Sequence, residues 1–448
     1  VRDHAREGLF ERDGHLLFFG ASSRKRPDGS DDQASQAAQH RCNIRQTVVG
    51  CDVLDDDHTQ CHREHRTQSP LNPLTSLVAL LPRIETMVFV FAFGLFAMSF
   101  DFISGYTGYL SFGHGAFYGI GAYGVVLIAN GKLPLLPSGT PFLASVLVSS
   151  LIAVAIALLI GLVSFRLTGV YFAMITLGFA QVMYVFVRGW DYVSSNPRDG
   201  VAVLSHPDGF QIGVPGVDAL NVAIGQLTGD EITGLLGFIN LSSTEVSYYA
   251  VGLVVLLSYL AMQRIIHSPF GRVMIAIREN EERARAIGYD TLRYKLGAFG
   301  ISAFFGAVAG GLYAGFKRSV TPEETFYFLA TGDALLASII GGFGTLAGPL
   351  YGHLFDETVR EFLSKQGGGG GLLPYLRGHV PEGIMSTDLV GGLTVGGAIE
   401  TFLNGHASLY VGALFVLFVL YVPNGLLGVV RDRLGGTVSK RLGEYVDR

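Results

Sequence analysis

From about residue 84 to residue 429, long apolar runs alternate with short polar loops. Crossing the hydrocarbon core of a bilayer takes about 20 apolar residues in an α-helix. Stretches of that character cover residues 84–103, 108–129, 142–165, 169–187, 246–266, 296–316 and 409–429. A further region, 331–363, is apolar but broken by glycine. The runs are continuous and lack the alternation of β-barrel strands. The pattern predicts an all-α, polytopic transmembrane helical bundle with about 8–9 membrane segments, counting a broken or re-entrant pair.

Composition agrees with that pattern. Charged residues make up 15% of the 448, against about 25% in ordinary soluble domains. The net charge of −5 averages unlike regions. Residues 1–70 hold 22 Asp, Glu, Lys and Arg together with Cys42, Cys51 and Cys61, whose spacing matches no zinc site. Three parts follow: a hydrophilic leader over 1–74, a membrane domain over 75–430, and a tail over 431–448.

Basic residues orient the bundle. The loop 267–295 carries Arg272, Arg278, Arg283, Arg285, Arg293 and Lys295, and the tail carries Arg431, Arg433, Lys440, Arg441 and Arg448. The positive-inside rule places both in the cytoplasm. Residues 190–245 and 364–406 then become outer loops, and 331–363 enters and leaves on the outer side. The same count puts the leader outside, although no signal peptide precedes it and its most apolar piece, 71–82, is too short to span. Residues 1–74 are therefore read as disordered, or as a start or frame artefact standing in place of a first span.

Within 331–363, Thr331 or Asp333 is expected to cap a short helix running to Ile340. The run GGFGTLAGP (residues 341–349) then interrupts it, because glycine and proline do not continue a helix well. A second apolar piece follows over 350–363. Irregular backbone at membrane depth persists only where protein or a water-filled path satisfies it, so a re-entrant hairpin or discontinuous helix is expected beside a translocation path. The competing expectation is a helix pair joined by a tight buried turn.

The stretch SGYTGYLSFGHGAFYGIGAY (residues 104–123) is unusually rich in glycine for an apolar segment. On a helix over 108–129, Ser111, Gly115 and Gly119 fall on one face, where small residues let two backbones approach. Ser111 and His114 are then i, i+3 neighbours. A nucleophile pair would also need an orienting acid and an oxyanion site; Asp101 is the only nearby carboxylate, and no G-x-S-x-G elbow surrounds Ser111, which argues against a hydrolase. Asp101 is expected to accept a helix-terminal hydrogen bond or an ion pair at the membrane boundary.

SGYTGYLSFGHGAFYGIGAY resembles the segment that marks permease subunits of branched-chain amino acid ABC importers of the LivM-like type. Four further pieces agree in order: GVYFAMITLGFAQ (169–181), SPFGRVMIAIRENEERARAIGYD (268–290), IIGGFGTLAGPLYG (339–352) and VPNGLLG (422–428). The resemblance covers about residues 75–430 and implies a multi-pass protein of the plasma membrane that works with partners. These are a second, LivH-like permease, two cytoplasmic ABC ATPases and an extracytoplasmic substrate-binding protein. Membrane lipid surrounds the assembly, and no nucleic acid is involved.

The run Glu282-Arg283-Ala284-Arg285-Ala286-Ile287-Gly288 is similar to the EAA---G coupling signature of ABC importers, with Arg283 standing where alanine is usual. A helix-like run from Arg272 to Ile287 is expected there, amphipathic enough to dock in an ATPase groove. Gly271, Arg272, Arg278, Glu279, Glu282, Ala284 and Gly288 are its candidate coupling residues. A Walker A sequence occurs nowhere in the chain. The chain is thus expected to be no enzyme and to bind no cofactor itself, with ATP and Mg²⁺ handled by the partner ATPases. Candidates for the substrate path and for close helix packing are Ser111, His114, Gly115, Gly119, Tyr171, Thr176, Gln181, Gly341, Gly342 and Gly344. A permease for urea, short amides or another small solute shares this architecture. A stand-alone channel or secondary transporter is the remaining alternative, disfavoured by the absence of a convincing internal repeat.

Overall fold

A computed structural model describes residues 83–133, 140–203, 243–363, 407–422 and 425–428, with short strand pieces at 211–212, 222–223, 232–235, 239–241, 388–390 and 393–395. The leader, the three cysteines, the tail and most of the two expected outer loops lie outside the described residues.

The apolar runs form helices. In chain order these are α1 (Ile84–Thr107), α2 (His114–Ala129), α3 (Phe142–Ser164), α4 (Val170–Arg188) and α5 (Ser243–Ile266). Two short helices, α6 (Pro269–Glu279) and α7 (Glu281–Ala286), precede α8 (Thr291–Lys317). Then come α9 (Pro322–Thr325), α10 (Phe328–Gly341), α11 (Gly348–Leu363) and α12 (Ala407–Tyr421). Among the described residues, six segments are long and apolar enough to cross a membrane: α1, α3, α4, α5, α8, and residues 409–428 beginning in α12. The protein is an all-α, multi-pass membrane bundle.

α8 lies at the centre, packed against α1, α2 and α3. α1 and α8 are 72% buried over their most apolar windows, against 33% for α3 and α4. Glycine lets the central helices meet at backbone distance. A Cβ on Gly310 of α8 would lie 1.9 Å from the Tyr118 carbonyl oxygen of α2, and one on Gly121 of α2 would lie 2.0 Å from that of Ala307 on α8. The outer faces of α3, α4 and α5 instead present exposed leucine, valine and aromatic side chains.

Contacts at the helix ends define two ends of the bundle. α6 and α7 sit at one of them, called here the basic end. α1, α3 and α5 finish there, and α2, α4 and α8 begin there. At the opposite end Val201–Ala202 pairs antiparallel with Ser319–Val320, and Arg188 closing α4 meets Glu323 of α9 at 3.3 Å.

Three expectations need correction. The helix expected over 108–129 begins only at His114, because Gly108 turns left-handed (φ 77°) and its N–H bonds back to Ser104 to close α1. Ser111 therefore lies in the irregular linker rather than on one helix face with Gly115 and Gly119. Neither Thr331 nor Asp333 caps α10, which starts earlier, after Tyr327. The Thr331 hydroxyl instead accepts the Gly115 N–H at 2.8 Å. The single helix expected from Arg272 to Ile287 breaks at Asn280, whose backbone is extended (φ −163°, ψ 104°) and whose side chain caps α7 by accepting the Arg283 N–H.

Candidate functional site

α10 and α11 pack side by side and turn over at residues 342–347. At about 1.5 Å per residue they are about 21 and 24 Å long, and neither is among the described segments long and apolar enough to cross a membrane. The region is a helix pair with a tight turn, the competing expectation, and the turn lies at the basic end. Gly342 (φ 120°) and Gly344 (φ 78°) hold conformations that side chains disfavour. A Cβ on Gly341 would lie 1.7 Å from the Gly348 carbonyl oxygen, so only glycine closes the turn this tightly.

The turn's backbone is satisfied by α1. The Gly344 N–H donates to Asp101 Oδ1 at 2.9 Å, and the Leu346 N–H donates to the Tyr106 hydroxyl at 3.1 Å. Asp101 and Tyr106 stand five positions apart near the end of α1, spaced to meet amides two residues apart in the turn. Asp101 accepts its hydrogen bond from a turn amide, Gly344, and not from a helix terminus as expected. On another side of the turn Gly425 approaches so closely that its Cβ would lie 2.4 Å from the Gly342 Cα.

The segment 268–290 meets the same node. Ser268 and Pro269 start α6, the Ser268 hydroxyl accepting the Gly271 N–H. Gly271 is buried, and a Cβ there would lie 2.1 Å from the Ile266 carbonyl oxygen. Val273, Ile277 and Ala284 form a small apolar core with Tyr294 against it. Arg278 at the end of α6 is exposed along much of its side chain, but its Nη1 donates to the Gly105 carbonyl oxygen at 2.5 Å. Gly108 and Gly344 flank the same side chain.

Glu281 opens α7 and also points inward. Its carboxylate accepts from Lys295 Nζ at 2.7 Å, Thr291 at 3.0 Å and the Tyr109 hydroxyl at 2.6 Å. Lys295 is 3% exposed and also lies over the rings of Tyr109 and Phe165. Burial pushes the Glu281 carboxyl up, but hydrogen bonds from Lys295 and Tyr109 and the nearby Lys295 charge outweigh it, so the group is held below its ordinary value of 4.5.

The opposite face of α6 and α7 is exposed. Arg272, Ile275, Glu279, Glu282 and Arg283 lie on it, and beyond them Ile287 is 74% exposed. Gly288 (φ 94°) ends the segment with open space around it. The candidate coupling residues thus divide: Gly271, Arg278 and Ala284 hold the segment to the bundle or to itself, whereas Arg272, Glu279 and Glu282 face away. Tyr109 was not singled out from the sequence, and Lys295 and Ile287 were read there only as part of the basic loop and the coupling run, without these contacts. Glu281 is separated from Tyr109 by 172 positions, and no local pattern reveals such a contact.

The remaining candidates do not form one lining. His114 is fully buried, with Nε2 at 3.0 Å from Ser99 Oγ and 3.3 Å from Ser302 Oγ. Ser99 spends its proton on the Phe96 carbonyl and Ser302 on the Ser99 carbonyl. Both serine hydroxyls are thus engaged with backbone carbonyls, which favours His114 donating from Nε2 over its abstracting a serine proton. Ser111 does not touch it, and the buried Ser111 hydroxyl has no partner among the described residues. Gly115 and Gly119 admit Thr331 and the Phe326 ring at close range. Thr176 is buried and bonds the Ala173 carbonyl, while Gln181 buries an unpaired Oε1 among the described residues. Tyr171 is 68% exposed on the outer surface of α4, away from the others. A cleft of about 450 Å³ between α3, α5 and α8 is lined by Val154, Leu158, Ile265, Ile301 and neighbouring apolar residues, and it offers no group for a zwitterion to bond. Among the described residues no group of three or more His, Cys, Asp or Glu side chains is placed to hold a metal ion.

Comparison with known proteins adds a family. Residues 83–369 match the model of the branched-chain amino acid transport system / permease component family. The chain is 26% identical over 351 residues to the high-affinity branched-chain amino acid transport system permease protein LivM of Escherichia coli (strain K12), covering 78% of this chain and 70% of that protein. Its counterpart from Salmonella typhimurium is 26% identical over 353 residues, covering 78% and 71%. The permease protein LivH of Escherichia coli (strain K12) is 25% identical over 273 residues, covering 58% and 78%. No solved structure matches the chain.

Proposed function

From the premise that the chain belongs to the permease components of branched-chain amino acid transport systems, we propose how this permease subunit of an ABC importer takes up its partners. The segment 268–290 is its cytoplasmic coupling element. Its inner half is fastened to the bundle through Arg278 and Glu281, and its outer half is free to meet an ATPase. The observation that carries this reading is the two-sidedness of α6 and α7: a buried ion pair and a small apolar core on one side, an exposed mixed face with Ile287 on the other. An apolar side chain rimmed by charge is the usual form of an interface anchor.

ATP and Mg²⁺ are bound by two partner ATPases, whose movement this chain receives. A LivH-like permease completes the path across the membrane, and an extracytoplasmic binding protein delivers the substrate, a branched-chain or related amino acid. The family match and the similarity to both LivM and LivH support that set of partners.

The test is gentle purification from native membranes through a C-terminal tag, followed by mass spectrometry and uptake assays. Two ATPases and a second permease should accompany the chain, and leucine uptake should require ATP. Purification of the chain alone, with uptake independent of ATP, overturns the proposal.

A further inference from the structure

The basic end holds an arrangement that ATPase docking by itself does not require. The coupling segment and the α10–α11 turn are far apart in sequence, yet both are fastened to the last two turns of α1. Arg278 bonds the Gly105 carbonyl oxygen. Asp101 and Tyr106, on the same two turns, accept the Gly344 and Leu346 N–H groups. Gly344 and Arg278 also approach directly, a Cβ on Gly344 falling 3.4 Å from Arg278 Nη1.

We propose that Arg278 is a positioning residue for transport: with the Asp101–Tyr106 end of α1 it forms the joint through which displacement of α6 and α7 reaches the α10–α11 turn. This rests on the coupling role proposed above and assigns Arg278 to the transmission of that movement inside the permease, not to contact with the ATPase. Three features suit it to the task. The guanidinium holds a planar, rigid fork of donors. Its acceptor is a backbone oxygen near the helix end, so a pull on α6 moves the α1 terminus itself and not a pliable side chain. The turn beyond is closed by glycines that tolerate no Cβ, so it responds as a unit.

The test uses the complete importer in proteoliposomes, with binding protein and leucine outside and ATP supplied to the ATPases, and reads uptake per ATP hydrolysed. Arg278→Ala should keep its ATPases at the wild-type ratio and keep hydrolysing ATP, while uptake per ATP falls about tenfold, as expected for loss of one charge-assisted hydrogen bond. Arg278→Lys should recover part of the loss, because an ammonium group can still reach the Gly105 oxygen. Tyr106→Phe, which removes the acceptor for Leu346 without touching the coupling segment, should lower the same ratio and serves if Arg278→Ala does not fold. Unchanged uptake per ATP in Arg278→Ala and Tyr106→Phe overturns the joint while leaving the importer reading intact. Loss of the ATPases from Arg278→Ala also overturns it, in favour of direct docking. A wild-type chain that carries no ATPase sinks both readings together.

Discussion

Lys295 lies one turn into α8, with 3% of its side chain exposed and its charge matched by Glu281 at 2.7 Å. Removing one member of such a pair leaves the other desolvated and unmatched. Because Glu281 keeps partial access to water, Lys295→Ala should cost about 1–3 kcal/mol, mostly in local stability of the coupling segment. Tryptic cleavage after Arg283 and Arg285 would read this, and should be faster in the variant. The same pair sets a pH dependence. The Glu281 carboxyl is held below its ordinary value of 4.5, so its stabilisation is complete above that pH and is lost as pH falls through the lower value of the folded state. Amide-exchange protection over residues 281–291, corrected for the intrinsic pH dependence of exchange, should be flat above the ordinary carboxylate value and fall as pH drops below it. Protection that declines between pH 8 and 6 would contradict the assignment. Gly341 makes a separate residue-scale claim. A Cβ there meets the Gly348 carbonyl oxygen at 1.7 Å, and forced overpacking costs about 1–3 kcal/mol. Gly341→Ala should lower the melting temperature of the purified protein, and an unchanged value would show that the turn opens freely.

At the scale of elements, α6 and α7 act as a folded module and not as a solvated loop. Ser268, Asn280 and Asp290 cap α6, α7 and α8 in turn, so each corner of the segment is fixed by its own side chain. Ile287 then projects from a rigid support. Ile287→Asp should leave the chain inserted but reduce co-purifying ATPase about tenfold or more, because an apolar anchor is replaced by a charge that must be desolvated. Full retention of the ATPase would move the docking face elsewhere. The break at Asn280 was not visible in the amphipathic pattern, since the apolar positions of both helices lie on one continuous stripe in sequence. The asparagine was a cap signal all the same, followed at once by Glu281 and Glu282. Most of the spans were legible, because the solvent that selects them is the bilayer and continuous apolarity suffices; the one expected over 108–129 is instead a helix of 16 residues, too short to be counted among them. Gly115 and Gly119 were legible as close-packing positions for a related reason, although their partners, Thr331 and Phe326, were not.

At the scale of the whole molecule, the five family motifs prove to be one neighbourhood. Residues 104–113, the start of α4, the segment 268–290, the turn at 341–348 and Gly425 converge at or near the basic end. Tyr109 illustrates this by touching the Phe172 ring at 5.2 Å while bonding Glu281. This convergence predicts that substitutions within the node change coupling, whereas substitutions on the lipid-facing side of α4 do not. Tyr171→Leu should leave leucine uptake within about twofold of wild type, as expected for an exposed apolar exchange. A large loss would place Tyr171 at an interface with another subunit.

The chain's sequence by itself determined the class, most of the spans, the basic loop and the family, because each is written in contiguous residues: apolar length, charge bias and ordered motifs. Tertiary structure alone decided which charges turn inward. Arg278 and Glu281 belong to the same polar run as Glu279 and Glu282, and nothing local separates the pair that binds the bundle from the pair that faces away. Their partners, Gly105, Tyr109 and Lys295, are supplied by packing of α1 and α8 against the segment. A hydrogen bond or ion pair across such distances depends on where helices end in space, which no periodicity along the chain encodes.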